Sequence, residues 1–333
     1  MNISVVIPTC NRKTSLLFLL NKLNDSTYPL QEILIVDSGE DRLCDNDLLQ
    51  FEKLQIQYLS SERSVCIQRN IGIKKAISPW IFLCDDDIEV PADYLQRLAA
   101  HILTHEETGS VSGLVLQKEN NNWMSQYNER STKSLLWKYI FQLGVWGNVE
   151  CSNNFIGKKL KRYYDQKGNH LSKAGWPVLT DLSGGYFITP VYGLGASLIK
   201  KEWLLRSPYD EVLDSHGIGD HYGVAAGFPG MIHVLTDAFV YHHQEKINRL
   251  KTPLQYYRRV LALDYFTGKG KSLSRIKKRW LFWSLLGNFI QVVFSLNTIM
   301  FKASFKSIYM VGFKKNPYTE AAKKGLKIIE PKL

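Results

Sequence analysis

Short, wholly apolar runs alternate with amphipathic ones along the first part of the chain. Residues 2–7 read as a strand buried on both faces, residues 32–37 as a second that ends in Asp37, residues 56–59 as a short third and residues 80–84 as a fourth. Between them, Leu16, Leu17, Leu19, Leu20 and Leu23 recur at helical spacing over 14–24, and residues 68–77 read as a helix whose start carries Arg69 and Asn70. This alternation predicts an α/β fold with a parallel sheet and ligands at the carboxyl ends of its strands. The polar residues fall at those ends: Pro8-Thr9-Cys10-Asn11-Arg12, Asp37, and Asp85-Asp86-Asp87. Three adjacent carboxylates repel one another unless a cation sits among them. Magnesium or manganese suits hard oxygen ligands and also offsets the charge of a diphosphate. A solvated acidic turn ahead of a helix, with Pro91 near its first turn, is the plainer account of the same three residues.

Beyond the fourth strand the pattern becomes less regular. Residues 120–181 are polar and aromatic and read as an insertion able to cover a site. Ser183-Gly184-Gly185 and Tyr192-Gly193-Leu194-Gly195 follow, glycines being suited to backbone that approaches a ligand closely. Residues 236–243 read as a last strand ending in His242 and His243, and residues 253–266 as a helix rich in Tyr and Arg. A cationic run over 269–279 precedes 22 uncharged residues, Trp280 to Phe301, long enough to span a bilayer. Their polar members, Ser284, Asn288, Gln291 and Ser295, form one helical stripe, as in a helix packed on a partner, lying in a membrane interface, or spanning against another helix.

Composition divides the 333 residues unevenly. From Lys246 to Leu333 there are nineteen Lys/Arg against three Asp/Glu, a balance of +16 that leaves −5 for the rest of a chain whose net charge is +11. Lysines interleaved with aromatics over 302–315 suit a membrane surface better than nucleic acid, for which no zinc-finger spacing or RNA-binding motif is present. Five dispersed cysteines without a paired C-x-x-C, and an N-terminus without a leader, point to reduced thiols on the cytoplasmic side. No G-x-G-x-x-G follows the first strand and no P-loop motif occurs.

Val-Val-Ile-Pro-Thr-Cys-Asn-Arg12, Ile-Val-Asp37-Ser-Gly, Gln-Arg69-Asn70-Ile-Gly72 and Phe-Leu-Cys-Asp85-Asp86-Asp87 together resemble, in order and spacing, the family 2 glycosyltransferases of GT-A fold, of the rhamnosyltransferase-like type that assembles polysaccharides. The resemblance covers roughly residues 1–245. It implies a GT-A-like mixed sheet flanked by helices; the charge and aromatic pattern over 246–333 adds a basic helical module expected to associate with membrane. It implies inverting transfer of a sugar from a nucleoside-diphosphate sugar, with Mn2+ or Mg2+, to a glycan or lipid-linked sugar at the inner face of the cell membrane. By that resemblance Asp37 contacts the nucleotide base, Asp85 reaches the ribose, and Asp87, with Asp86 beside it, holds the metal. Pro8, Thr9, Arg12, Arg69 and Asn70 then border the nucleotide-sugar, Arg12 and Arg69 aiding the leaving group. The family's acidic pair falls at Gly219-Asp220, where glycine replaces the first acid, leaving Asp220 as the base on the acceptor and His221 as the second choice. His242 is the expected additional metal ligand, ahead of His243. A nucleotidyltransferase is the nearest rival enzyme, although Pro8 to Lys13 lacks the glycine-rich basic loop such enzymes use. A silent, membrane-anchored sugar-nucleotide or glycan-binding scaffold is the rival from another class.

Overall fold

The computed structural model describes residues 1–119, 122–125, 128–151, 154–244, 249–269, 273 and 276–333. The first half of the sheet is built from β1 (Ile3–Thr9), α1 (Lys13–Asn24), β2 (Glu32–Asp37), the single turn α2 (Asp45–Leu48), β3 (Ile56–Ser60), α3 (Val65–Lys75) and β4 (Trp80–Cys84). All four strands fall where the apolar runs place them. Helix α3 begins three residues earlier than the pattern predicts, because the Ser64 hydroxyl accepts the Ile67 N–H and caps it there. Arg69 and Asn70 therefore sit in its second turn.

The chain continues through β5 (Ile88–Glu89), α4 (Tyr94–Thr104), β6 (Ser110–Glu119) and β7 (Asn122–Met124). It then passes α5 (Thr132–Ile140), β8 (Val145–Trp146), α6 (Phe155–Lys167), β9 (His170–Leu171), β10 (Pro177–Leu179) and β11 (Tyr186–Thr189). Next come β12 (Ala196–Lys200), α7 (Lys201–Arg206), α8 (Asp220–Ala226) and β13 (Ile232–His242). The main sheet runs β11-β13-β6-β12-β4-β1-β2-β3. Strands β1 to β4 are mutually parallel where they pair, β12 is antiparallel to β4 and β6, and β13 is parallel to β6. Val5 and Ile7 pack with α1 and α4 on one face, while Val6, Leu34 and Leu83 pack with α3 on the other, as alternation along a strand requires. Since β1 lies between β2 and β4, winding changes direction there, and the crevice beyond the ends of β1 and β4 is the natural ligand position.

The expected insertion forms α5, α6 and a small sheet of order β8-β10-β9, around Leu135, Val145, Leu160, Tyr164 and Val178. Asn120 and Asn121 of that insertion lie outside the described residues, as does the expected domain boundary between 245 and 246. After that boundary come α9 (Thr252–Phe266), α10 (Lys278–Phe294), α11 (Thr298–Phe313) and α12 (Pro317–Lys323). Helix α9 contributes Tyr257, Leu261, Tyr265 and Phe266 to the same core as Val6 and Leu83. The last residues return to it as well: the Ile328 and Ile329 N–H groups donate to the carbonyls of Glu211 and Val212 at 2.9 and 3.1 Å.

The uncharged stretch from Trp280 to Phe301 is not one helix. Leu296 turns the chain with a left-handed φ of 51°, and the Asn297 side chain accepts the Met300 N–H at 3.1 Å to start α11. A helical hairpin results, and among the described residues no helix is long and apolar enough to cross a membrane. The polar stripe divides accordingly. Ser284 is buried and accepts the indole N–H of Trp176 at 2.9 Å, whereas Gln291 and Ser295 are exposed near the hairpin tip. Much of the cationic run over 269–279 lies outside the described residues.

Candidate functional site

A cavity of about 970 Å³ opens at the carboxyl ends of β1 and β4. Pro8, Thr9, Arg12, Arg69, Asp85, Asp86, Asp87, Asp220 and His242 all line it, so nine of the eleven residues singled out above come together. The switch point explains the convergence, because the β1–α1 loop and the residues after β4 face one another across it.

Each carboxylate after β4 has a different task. Asp86 accepts the Thr9 hydroxyl at 2.7 Å and the Arg12 guanidinium at 2.8 Å. Burial raises its pKa to about 6 against the pull of Arg12. Asp87 meets the His242 Nε2 at 3.1 Å, Arg12 at 3.4 Å and Arg249 at 3.6 Å. Burial would raise Asp87 too, but His242 and the two guanidinium groups outweigh it and hold the carboxyl down to about 2. Asp85 lies against Gly195, where an added Cβ would stand 2.0 Å from its Oδ2, so only glycine admits this carboxylate. Its Oδ1 accepts from Arg69 at 2.6 Å. Burial disfavours the charge on Asp85 and Arg69 restores it, leaving the pKa below the usual carboxylate range.

Arg69 is the hinge of the arrangement. Its second amino group donates to Asp220, and its guanidinium lies 5.1 Å from the centre of the Tyr209 ring. One buried cation thus joins the carboxylate after β4 to the one at the start of α8. Asp220 also accepts the His221 backbone N–H at 2.6 Å. Gly219, which stands where the family's first acid is expected, has φ of +92°, and a Cβ there would come within 2.8 Å of Ala262 on α9. Backbone geometry accounts for the departure: an L side chain at this position is strained and crowded.

Two expected residues lie elsewhere. Asp37 is 2% exposed and does not line the cavity; its oxygens accept the Gly39 N–H at 2.6 Å and the Tyr58 hydroxyl, fixing the turn that presents Ser38. Asn70 points away from the cavity, pinning the 209–211 segment through the Tyr209 backbone and Glu211. His243 is likewise outside, against Glu89 at 3.1 Å. His221 lines the cavity, but its Nδ1 accepts the Leu194 N–H at 3.1 Å. The neutral ring then carries its proton on Nε2 and has no lone pair left for a base.

Sequence patterns alone miss other members. Gln68 donates from one amide to the carbonyls of Thr9 and Val36, both at 2.6 Å, tying the ends of β1 and β2 together. Arg249 follows β13, and Glu129, Lys138, Trp146 and Trp176 come from the insertion. No periodicity marks such residues; only the fold brings them to one wall.

Among the described residues no group of three or more His, Cys, Asp or Glu is placed to hold a metal by itself. Asp87 and His242 nevertheless offer an oxygen and a nitrogen ligand side by side, and ions of the magnesium type commonly take one or two protein ligands and complete their shell with phosphate and water. As the side chains stand, the two groups are paired with each other at 3.1 Å, so an ion would take the place of that hydrogen bond.

The profile named Glycosyl transferase family 2 matches residues 4–167. The uncharacterized glycosyltransferase YwdF of Bacillus subtilis (strain 168) is 32% identical over 122 residues, which is 36% of this chain and 46% of that protein, so the match spans less than half of the relative's length. Residues 1-349 of S. aureus TarS superpose with a TM-score of 0.53 at 15% identity, covering 98% of this chain and 92% of the other. The same protein in complex with UDP-GlcNAc gives 0.53 at 14% identity, covering 98% and 93%. At these identities the likeness is one of fold.

Proposed function

Since residues 4–167 place the chain in glycosyltransferase family 2, we propose that it moves a sugar from a nucleoside-diphosphate sugar to an acceptor hydroxyl with inversion. The observation that carries this reading is Arg69, which pairs with both Asp85 and Asp220 and so gathers the carboxylate after β4 and the one at the start of α8 in one cavity. Inversion asks for a carboxylate that takes the acceptor proton opposite the leaving group, and we assign that role to Asp220. The TarS complex, alike in fold, contains a nucleotide-sugar of this class, UDP-GlcNAc.

The chemistry follows from the charges. As the glycosidic bond breaks, the diphosphate gains negative charge, and groups aimed at that charge stabilise the transition state more than the ground state. Arg12 and Arg249 stand beside Asp87 for this purpose. Asp87 and His242 would hold a divalent metal, which supplies further charge neutralisation when bound. Asp85 is placed for the ribose and Thr9 and Pro8 for the nucleotide wall, while Asp37 acts from behind that wall by fixing Ser38 and Gly39. Asp220 takes the proton from the acceptor hydroxyl, its ion pair with Arg69 keeping it aligned.

The acceptor is a glycan or lipid-linked sugar on the cytoplasmic face of a membrane. The α10–α11 hairpin supports this, because Phe294, Leu296 and Ile299 at its tip are 81%, 84% and 73% exposed with Lys302 one turn on, and Phe313 at its open end is 70% exposed next to Lys314 and Lys315. Apolar side chains flanked by lysines suit a surface of anionic lipid.

Thermal unfolding with UDP, dTDP, GDP and CDP, each with and without manganese, tests the donor side, because a ligand bound only by the folded state raises the melting temperature. One nucleotide is expected to stabilise the wild type in a metal-dependent way and to lose that effect in Asp87→Ala. Binding without turnover in any form would instead favour a sugar-nucleotide-binding scaffold.

A further inference from the structure

The cavity extends well past the diphosphate side. Its far half is walled by Val145 and Trp146 of β8, Trp176 and Pro177 at β10, and one face of α9 formed by Gln255, Arg259 and Leu263 at spacing i, i+4, i+8. Trp146 is 37% exposed, and its ring is stacked on Tyr192 with centroids 5.8 Å apart and planes 23° from parallel. A flat, supported indole facing a cavity offers its π-face to the C–H face of a sugar ring.

The charge pattern of the lining is the second observation. Arg12, Arg69, Lys138 and Arg249 each meet a carboxylate: Asp86, Asp85 with Asp220, Glu129 and Asp87 respectively. Arg259 has no hydrogen-bond or ion-pair partner among the described residues, although it lines the same cavity. It reaches water through that cavity, while the protein around it lowers its pKa by desolvation. Exposed to the water of the cavity, the guanidinium keeps its donors free to take up an anion. Its position is also specific: Gly219, the residue before Asp220, abuts Ala262, so Arg259 lies one turn of α9 from the reacting side.

We propose that this half of the cavity is an acceptor subsite for a sugar bearing an anionic group, a phosphate or a carboxylate, with Arg259 pairing the charge and Trp146 seating the ring. The subsite rests on the transferase reading for its name as acceptor site, and on its own residues for its charge preference. A guanidinium forks onto either anion through two parallel hydrogen bonds. The insertion thereby acquires a task, since β8 and β10 build the aromatic wall.

The test is titration of the full-length protein by tryptophan fluorescence with methyl glucoside, methyl glucuronide and glucose 6-phosphate, in saturating UDP and manganese. At least one charged sugar is expected to bind about tenfold tighter than the neutral one, the size of one charge-assisted hydrogen-bonded pair. Which charged sugar is preferred tells a carboxylate from a phosphate. Arg259→Ala and Arg259→Gln should abolish the preference while keeping the thermal shift with UDP, which also reports that the variants are folded. Trp146→Ala should weaken all three sugars alike. Equal binding of neutral and charged sugars by the wild type, or a preference that survives Arg259→Ala, would overturn the proposal. No thermal shift of the wild type with UDP, dTDP, GDP or CDP, with the anion preference intact, would sink the transferase reading and leave an anionic glycan-binding site.

Discussion

Single side chains set the chemistry here by what they exclude. Asp220→Asn keeps the shape of the Arg69 contact and removes the proton acceptor, so turnover is expected to fall by about 10² to 10⁴ with nucleotide binding retained; steady-state rates beside thermal shifts check both halves. Arg69→Met strands Asp85 and Asp220 without their shared cation. Breaking a buried pair from one side costs about 3 kcal/mol, lessened here because Asp85 is 30% exposed, and urea unfolding of the variant should show a loss of that order. Gly195→Ala places a methyl group against Asp85 and is expected to abolish nucleotide binding while Gly193→Ala, with open space around it, does not.

At the scale of elements, the edge formed by α4, β11 and β13 carries a histidine cluster away from the cavity. His101 meets the His233 Nδ1 at 2.9 Å and stacks on His105 at 4.0 Å, with Tyr186 covering them. Burial first, then repulsion from His105 and His233, lowers the His101 pKa to about 4 despite Glu107 and Asp237 nearby. The unfolded chain then binds the extra proton between about pH 6.5 and pH 4, so this ring costs stability as pH falls through that window. A His101→Asn variant should show a shallower decline in urea midpoint between pH 7 and pH 5 than the wild type. The hairpin of α10 and α11 makes the complementary point about elements. The sequence shows its 22 uncharged residues as one unbroken run, and only the turn at Leu296, capped by Asn297, divides them.

For the whole molecule, the basic C-terminal end and the site belong to one body, since α9 both enters the sheet's core and lines the cavity. The proposed attachment at the hairpin would therefore fix where the cavity opens relative to a membrane. Phe294→Ser with Leu296→Ser should leave the melting temperature nearly unchanged, both being exposed, and reduce flotation with anionic vesicles; unchanged flotation would remove the membrane argument. The sequence by itself determined β1 to β4, α1 and α9, because strand and helix periods are local and strong. It also marked Thr9, Arg12 and Asp85 to Asp87 as neighbours, because carboxyl ends of parallel strands converge, while Arg69, Asp220 and His242 joined them only through the resemblance to a known family. Only the tertiary structure decided that Asp37 and Asn70 spend their hydrogen bonds on the scaffold, that Gly219 answers to a left-handed backbone, and that Gln68, Trp146, Trp176, Arg249 and Arg259 face one cavity. Those facts depend on contacts between residues far apart in the chain, where no local period or spacing carries a signal.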